Sequence, residues 1–382
     1  MSTTRREFLK ATLGTSTLVS FGPQLLARAA ESRRDRGETI LVVVQLSGGN
    51  DGLNTVVPYT DDEYARNRTT LRLPTDKLHK IDDSLGFHPR MEAFERLYKE
   101  GHLTIVQGVG YENQNRDHDG GMRDWHTAEP GRTDSQTGWL GRATDKLWNS
   151  DDPVAPAMFV GPIALPFGLN AERVVVPSVH TLRDLALRQS PGTSVDGKHL
   201  AELPRADTGN PLLPLLERTT AATRADTRRI EAVAAAPGSK IEYPAMPLAG
   251  TLRTVAQLIR AELGVRIFYT ELGGGGIGGF DNHANQLGNH CALLHQLSES
   301  VAAFVGDLRR DKLLDRVLLM TFSEFGRTVK ENGRRGTGHG EAAPVFLAGG
   351  RLRGGLLGPH PSLTDLNANA PRFHTDFRRV YA

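Results

Sequence analysis

The sequence predicts an α/β fold, a three-layer arrangement of a mostly parallel sheet with helices on both faces. Three observations lead there. Six apolar runs of strand length, residues 40–46, 103–106, 157–160, 265–269, 317–322 and 345–348, are continuous rather than alternating, as strands buried on both faces are. Stretches with helical spacing fall between them, and strand–helix alternation marks this class. Polar, glycine-flanked clusters follow the strands, where open α/β sheets carry their ligands. A chain of 382 residues, 38% hydrophobic and 24% charged, is ample for one large core.

In chain order, the first element stands outside the fold. Thr4-Arg5-Arg6-Glu7-Phe8-Leu9-Lys10, a weakly apolar stretch over 11–26 and Ala27-Arg28-Ala29 read as a twin-arginine signal peptide over residues 1–29, leaving 30–382 as the mature domain. This predicts the twin-arginine translocase as a partner during export, and a periplasmic or extracellular destination. Removing 1–29 takes away four basic residues and one acid, moving the formal charge from +2 to −1. With no basic stripe interleaved with aromatics, nucleic-acid binding is not expected. No later run reaches the roughly 18 apolar residues of a membrane span, so no transmembrane segment is expected.

Helices are predicted over 91–100, with Phe94 and Leu97 three apart, and over 248–263, with Leu252, Val255, Leu258 and Ile259 on one stripe. A third covers 287–308, where Leu287, Cys291, Leu294, Leu297, Val301, Phe304 and Leu308 share a face. Cys291 is the only cysteine, so no internal disulfide forms, and the residue reads as core. Residues 186–245, rich in Ala, Arg, Thr and Pro, read as a peripheral helical insertion beside the sheet, with a helix over 219–236. Residues 376–382 read as the start of a helix.

The chemistry-bearing residues sit in the strand-end clusters. Ser47-Gly48-Gly49-Asn50-Asp51-Gly52-Leu53-Asn54 follows the first strand, and Asn115-Arg116-Asp117-His118-Asp119 follows the second. Phe280-Asp281-Asn282-His283 follows the run at 265–269 and a glycine-rich link. Ser323-Glu324-Phe325-Gly326-Arg327 and then Thr337-Gly338-His339-Gly340-Glu341 follow the run at 317–322. Asp281 and His283 are two apart, which in extended backbone turns both to one side. A carboxylate and an imidazole suit zinc, manganese or iron; a polar loop whose Asp caps the next helix is the plain alternative.

Every candidate carries such an alternative. Asp51 is a ligand, a catalytic acid or a helix cap. His118 is a site residue or a structural histidine. Glu324 belongs to the site or pairs with Arg327 at the surface. Arg327, near Lys330, Arg334 and Arg335, offers a fork that matches phosphate or sulfate, or lies in a solvated loop balanced by Glu331. His339, between two glycines, has no apolar face to pack on and reads as functional. His290 and His295 read as packing or solvent histidines. The glycines at 273–276 read as a loop rather than a phosphate cradle, with no following Lys-Ser/Thr. No GxSxG elbow or HExxH pair is present, and no dinucleotide fingerprint follows the first strand, where Ser47-Gly48-Gly49-Asn50 lacks the spacing.

These clusters, in this order, resemble the DUF1501 family of exported proteins of unknown function. The matching pieces are Val42-Val43-Val44-Gln45-Leu46-Ser47-Gly48-Gly49-Asn50-Asp51-Gly52-Leu53-Asn54, Gly279-Phe280-Asp281-Asn282-His283, Ser323-Glu324-Phe325-Gly326-Arg327-Thr328 with 336–340, then 358–363 and Asp376-Phe377-Arg378. That family is similar to the alkaline phosphatase and sulfatase superfamily. The resemblance implies an alkaline-phosphatase-like sheet, hydrolysis of a phosphate or sulfate ester of an anionic small molecule or glycan, and a divalent cofactor (zinc, manganese or calcium). By position, Asp51 looks like the first-strand metal acid, Asp281 and His283 like an Asp–His metal pair, and His339 like a later metal histidine. Asp51, His118, Glu324 and Arg327 are the catalytic candidates. Three positions depart from the pattern: Glu324-Phe325 replaces an Asp-His pair, Gly338 an Asp, and Asp117 a Ser. The departures leave a second reading open, a non-catalytic exported binding protein on a decayed hydrolase scaffold. The family pattern continues past Tyr381, so a C-terminal continuation is expected.

Overall fold

The pleat sorts the apolar side chains of each strand to two faces, and that sorting builds the molecule. The computed structural model describes residues 39–148, 155–180, 239, 241–273 and 279–382. The signal peptide at 1–29 lies outside the described residues, as does the insertion at 186–245 apart from Ser239 and 241–245. Strand β1 (Ile40–Leu46) sends Val42, Val44 and Leu46 to one face and Val43 to the other. On the first face they meet Phe94 and Leu97 of helix α3 (Glu92–Lys99), Leu252 and Val255 of α6 (Pro247–Arg260), and Leu297, Val301 and Phe304 of α7 (Gln286–Arg310). On the second, Val43 joins Trp125 of α4 (His118–Thr127) and Leu140 of α5 (Trp139–Leu147). Fully burying a side chain such as Phe304 stabilises by roughly 1.5–3 kcal/mol, so these two cores hold the three layers together.

Beside β1 the main sheet contains β5 (Leu103–Gly110), β6 (Ala157–Val160), β7 (Ser178–Val179), β8 (Ile267–Leu272), β9 (Val317–Phe322), β10 (Ala343–Gly349) and β11 (Gly355–Leu357). The order is β11-β5-β10-β9-β1-β8-β6-β7, with β14 (Thr375–Asp376) paired to β5. Three short strands, β2 (Val56–Pro58), β3 (His79–Lys80) and β4 (Leu85–Phe87), make a small antiparallel sheet, and β12 (Leu366–Asn367) pairs with β13 (Ala370–Pro371). Short helices α1 (Gly52–Thr55), α2 (Asp62–Asn67) and α8 (Arg378–Tyr381) and 3₁₀ turns at Thr75–Lys77, Phe167–Leu169 and Leu314–Arg316 complete the described elements. Among the described residues, no helix is long and apolar enough to cross a membrane.

The sheet is mostly parallel, as the apolar runs predict, with one correction. The run at 345–348 belongs to β10, which is antiparallel to both β5 and β9. Residues 323–342 do not cross a face; they turn back at the edge where β9 ends, and a strand returning without a crossover is antiparallel. That reversal keeps the whole 323–342 connection at one edge. There β1, β5, β8 and β9 end and β10 begins.

Two further readings change. His118 opens helix α4 rather than lying in a loop: Asp117 caps it, its side chain accepting from Asp119 N at 3.1 Å and Gly120 N at 3.3 Å. Gly120 and Gly121, poor helix formers, mask the pattern. Cys291 is half-buried and Leu287 is exposed. The covered face of α7 runs instead through His290, Leu294, Leu297, Val301, Phe304 and Leu308.

Candidate metal and catalytic site

The loops after β1, β8 and β9 touch because two glycines remove the side chains that would separate them. Gly48 (φ +111°) and Gly49 (φ +79°) adopt left-handed backbone. A Cβ at Gly48 would lie 2.4 Å from Asp281 N, and one at Gly49 would meet the Phe325 ring. Arg327, buried, ties the same loops: its Nε donates to Gly49 O at 2.7 Å, and its Nη2 to Gly48 O, Phe280 O (3.0 Å) and Asp281 Oδ1 (2.7 Å). A backbone bridge pairs Arg327 with His339. Most of the fork expected to hold an anion is thus given to carbonyls of the protein.

Three imidazoles converge on the Asp281 carboxylate. His283 Nε2 and His339 Nε2 lie 3.0 and 3.2 Å from Oδ1, and His118 Nε2 lies 3.4 Å from Oδ2. His283 Nε2 and His339 Nε2 are 2.9 Å apart. The ligand atoms of His118, Asp281 and His339 all fall within 4.8 Å of one another. The Asp281–His283 pair meets in bent rather than extended backbone, where Asn282 N donates to Phe280 O at 2.8 Å.

Outer partners aim the rings. His118 Nδ1 is 2.9 Å from Glu324 Oε1, an oxygen that also accepts from Gly48 N at 2.8 Å. His339 Nδ1 donates to Arg116 O at 2.6 Å. With Nδ1 occupied, Nε2 of each ring faces the common centre, the second-sphere arrangement of metal-ligating histidines. The Phe325 ring stacks on His339, centroids 4.4 Å apart. The hydrogen bond to Glu324 raises the His118 pKa, against the opposing pull of burial. Burial lowers that of His283. Burial pushes the Asp281 carboxyl upward, but the Arg327 hydrogen bond and charge outweigh it and hold the net value below the ordinary range.

The donor set fits a divalent ion. Tetrahedral ligands with bonds of 2.0–2.1 Å sit about 3.3 Å from each other, and the separations above bracket that figure. Imidazole-rich sets suit zinc or manganese; calcium takes about six to eight oxygens and does not fit.

Asp51 stands apart from this cluster. Its carboxylate takes a bidentate pair from Arg68, at 2.6 and 3.0 Å, and a hydrogen bond from Gln286. Burial would raise its pKa, but the Arg68 charge and hydrogen bonds prevail and lower it to about 2. Asp51 precedes α1 at its N-terminus, but its side chain makes no capping hydrogen bond there. The sequence reading missed Arg68, Gln286 and the Arg116 carbonyl. Arg68 lies in a polar stretch that reads as surface, and a carbonyl has no sequence signature. His290 is buried, its Nε2 donating to Asn50 Oδ1 at 3.0 Å.

A family model described as "Protein of unknown function (DUF1501)" matches residues 38–377. No curated protein matches the chain. Solved structures similar to it include the C-terminal periplasmic domain of EcEptC from Escherichia coli in complex with Zn, at 9% identity and TM-score 0.39, covering 84% of this chain and 75% of that one. The lipoteichoic acid synthase LtaP from Listeria monocytogenes aligns at 10% identity and TM-score 0.36, over 87% of this chain and 71% of that one. A protein in the alkaline phosphatase superfamily from Vibrio parahaemolyticus aligns at 8% identity and TM-score 0.36, over 88% and 70%.

Proposed function

We propose, from the premise that this chain belongs to the DUF1501 family, that it is an exported hydrolase of a phosphate or sulfate ester that works with one divalent ion. The observation that carries the reading is the convergence of His118, His283 and His339 on the Asp281 carboxylate at the carboxyl edge of the sheet. Those four residues would hold the ion. When bound, it would supply Lewis-acid polarisation of an ester oxygen. Glu324 and the Arg116 carbonyl fix the ring orientations, so the donors are in place before an ion arrives. Arg327 acts as a positioning residue, holding Asp281 and the glycine loop in register. Asp51 staples the loop after β1 rather than meeting substrate. The twin-arginine segment supports export, and an anionic small molecule or glycan is the substrate class the resemblance implies.

A specific observation favours the second reading, a binding scaffold without turnover. The Arg327 guanidinium already satisfies Asp281 Oδ1 at 2.7 Å, so the acid has a cation of its own. Metal analysis of the purified mature protein, joined to a panel of aryl phosphates and sulfates, separates the two. The hydrolase reading expects about one zinc or manganese per chain and turnover abolished by His339→Ala. Absence of metal, with no change in Tm on adding zinc or manganese, overturns it. Metal without turnover on any ester supports the scaffold.

A further inference from the structure

A second polar group lies on the same edge, one residue before the loop that meets Glu324. Gln45, Ser47, Tyr269 and Glu271 share the α4 face of β1 and β8, where Gln45 is the register partner of Glu271. Their hydrogen bonds run in one direction. Tyr269 Oη donates to Gln45 Oε1, and that same oxygen lies 2.8 Å from His126 Nε2. Two groups on the amide oxygen fix the amide, so Nε2 points to Ser47 and donates to its Oγ at 2.7 Å. Ser47 Oγ then donates its own hydrogen to Glu271 Oε1 at 2.7 Å. The other oxygen, Glu271 Oε2, is buried with no hydrogen-bond partner among the described residues. Burial raises the Glu271 pKa and the charge of Glu324 adds to this, against the hydrogen bond from Ser47. Ser47 and Glu271 are both partly exposed, unlike Gln45, His126 and Tyr269 beneath them.

A hydroxyl whose hydrogen is aimed at a carboxylate, and whose lone pair is steadied by an amide, is the arrangement of an activated nucleophile. Resting on the hydrolase reading above, we propose that Ser47 is the nucleophile of this site and Glu271 its general base. Ser47 Oγ forms a bond to the phosphorus or sulfur of the ester as its proton moves to Glu271 Oε1. The ester bond to the alcohol breaks, and the leaving oxygen takes a proton from water. A water molecule then attacks the seryl ester and gives its proton to solvent; the bond to Oγ breaks, and Glu271 returns its proton to Oγ. The sum is ester plus water giving alcohol plus phosphate or sulfate. Ser323 Oγ differs: it is buried, lies against Leu46 O at 2.6 Å, accepts from Asn50 N at 2.9 Å, and reaches Glu324 Oε2 only at 3.2 Å.

The test uses the full mature chain, loaded with zinc or manganese, and 4-nitrophenyl phosphate and 4-nitrophenyl sulfate as probes. Acid-quenched samples are digested and searched by mass spectrometry for a phosphoryl or sulfuryl group on Ser47, a mark that a structural serine would not acquire. The expected result is that adduct in the wild type, its absence in Ser47→Ala with turnover reduced at least about a thousandfold, and adduct formation slowed about 10²–10⁴-fold in the isosteric Glu271→Gln. Turnover retained within threefold by a folded Ser47→Ala, or an adduct on another residue, overturns this assignment and leaves the hydrolase reading standing. No turnover and no adduct in the wild type with either probe overturns both. If Ser47→Ala does not fold, the wild-type adduct and Glu271→Gln still decide.

Discussion

Two acids past the ends of neighbouring strands, Asp51 after β1 and Asp281 after β8, each touch a buried arginine, yet they serve different ends. Arg68 and Asp51 are 0% and 2% exposed, while the Arg327 side chain is 0% and Asp281 40% exposed. Asp51 spends both oxygens on Arg68 and Gln286 and faces no imidazole within hydrogen-bond reach. Asp281 keeps an open side where three imidazoles gather. The same residue type at the same kind of position is a fold staple when enclosed by a fork and, on the proposed reading, a ligand when one side is left to solvent. Enclosure, not strand-end position, separates the two.

The sharpest way to break this contrast is to remove the enclosed arginine. Arg68→Met leaves a buried carboxylate without its partner and is expected to cost about 3–5 kcal/mol, read as a drop in urea midpoint; a loss below about 1 kcal/mol would show that the staple is not one. Asp281→Ala is the counterpart. It should lower zinc or manganese affinity at least about a hundredfold by calorimetry, while shifting stability by only about 1 kcal/mol, since a half-exposed pair contributes little. Glu324→Gln, which loosens the His118 ring without touching the central donors, should cost about tenfold in ion affinity and leave the fold unchanged.

A further contrast comes with pH and separates the enclosed acid from enclosed histidines. Burial lowers the pKa of His126 to about 4 and, as the largest cause, that of His88 to about 3. Below about 6.5 the unfolded chain binds these protons and the folded one does not. Stability is therefore complete above that value and falls as the pH drops toward 4, by roughly 1.4 kcal/mol per pH unit for each histidine. Asp51 has the same sense in a lower window, with a folded value of about 2. Its contribution is present above its unfolded value near 3.8 and is lost only as the pH falls from there toward 2. Urea midpoints from pH 7.5 to 4.5 that stay flat would sink the histidine account; so would a fall in that window that Arg68→Met abolishes, which would belong to the acid instead.

Much of the frame was legible because buried strands advertise themselves. The runs at 40–46, 157–160 and 317–322 match β1, β6 and β9 to the residue. Helix α4 was not legible, since Gly120 and Gly121 dilute its apolar face to Trp125 and Met122. The direction of β10 was hidden too, because a continuous apolar run says that a strand is buried but not which way it points. At the site, Asp281 and His283 showed through their spacing after a glycine-rich link, and His339 through its two flanking glycines. Arg327 was visible, but its occupation by backbone carbonyls was not.

The sequence by itself determined the α/β class, the strands that lie buried, and the pool of acids and imidazoles gathered beyond the strand ends, because these follow from local composition and periodicity. Only the tertiary structure decided which acid is enclosed. Arg68 reaches Asp51 across 17 residues and Arg327 reaches Asp281 across 46, contacts that no local pattern encodes. It also decided that Ser47 gives its hydrogen to Glu271, across 224 residues, because that pairing depends on β1 and β8 lying side by side in one register.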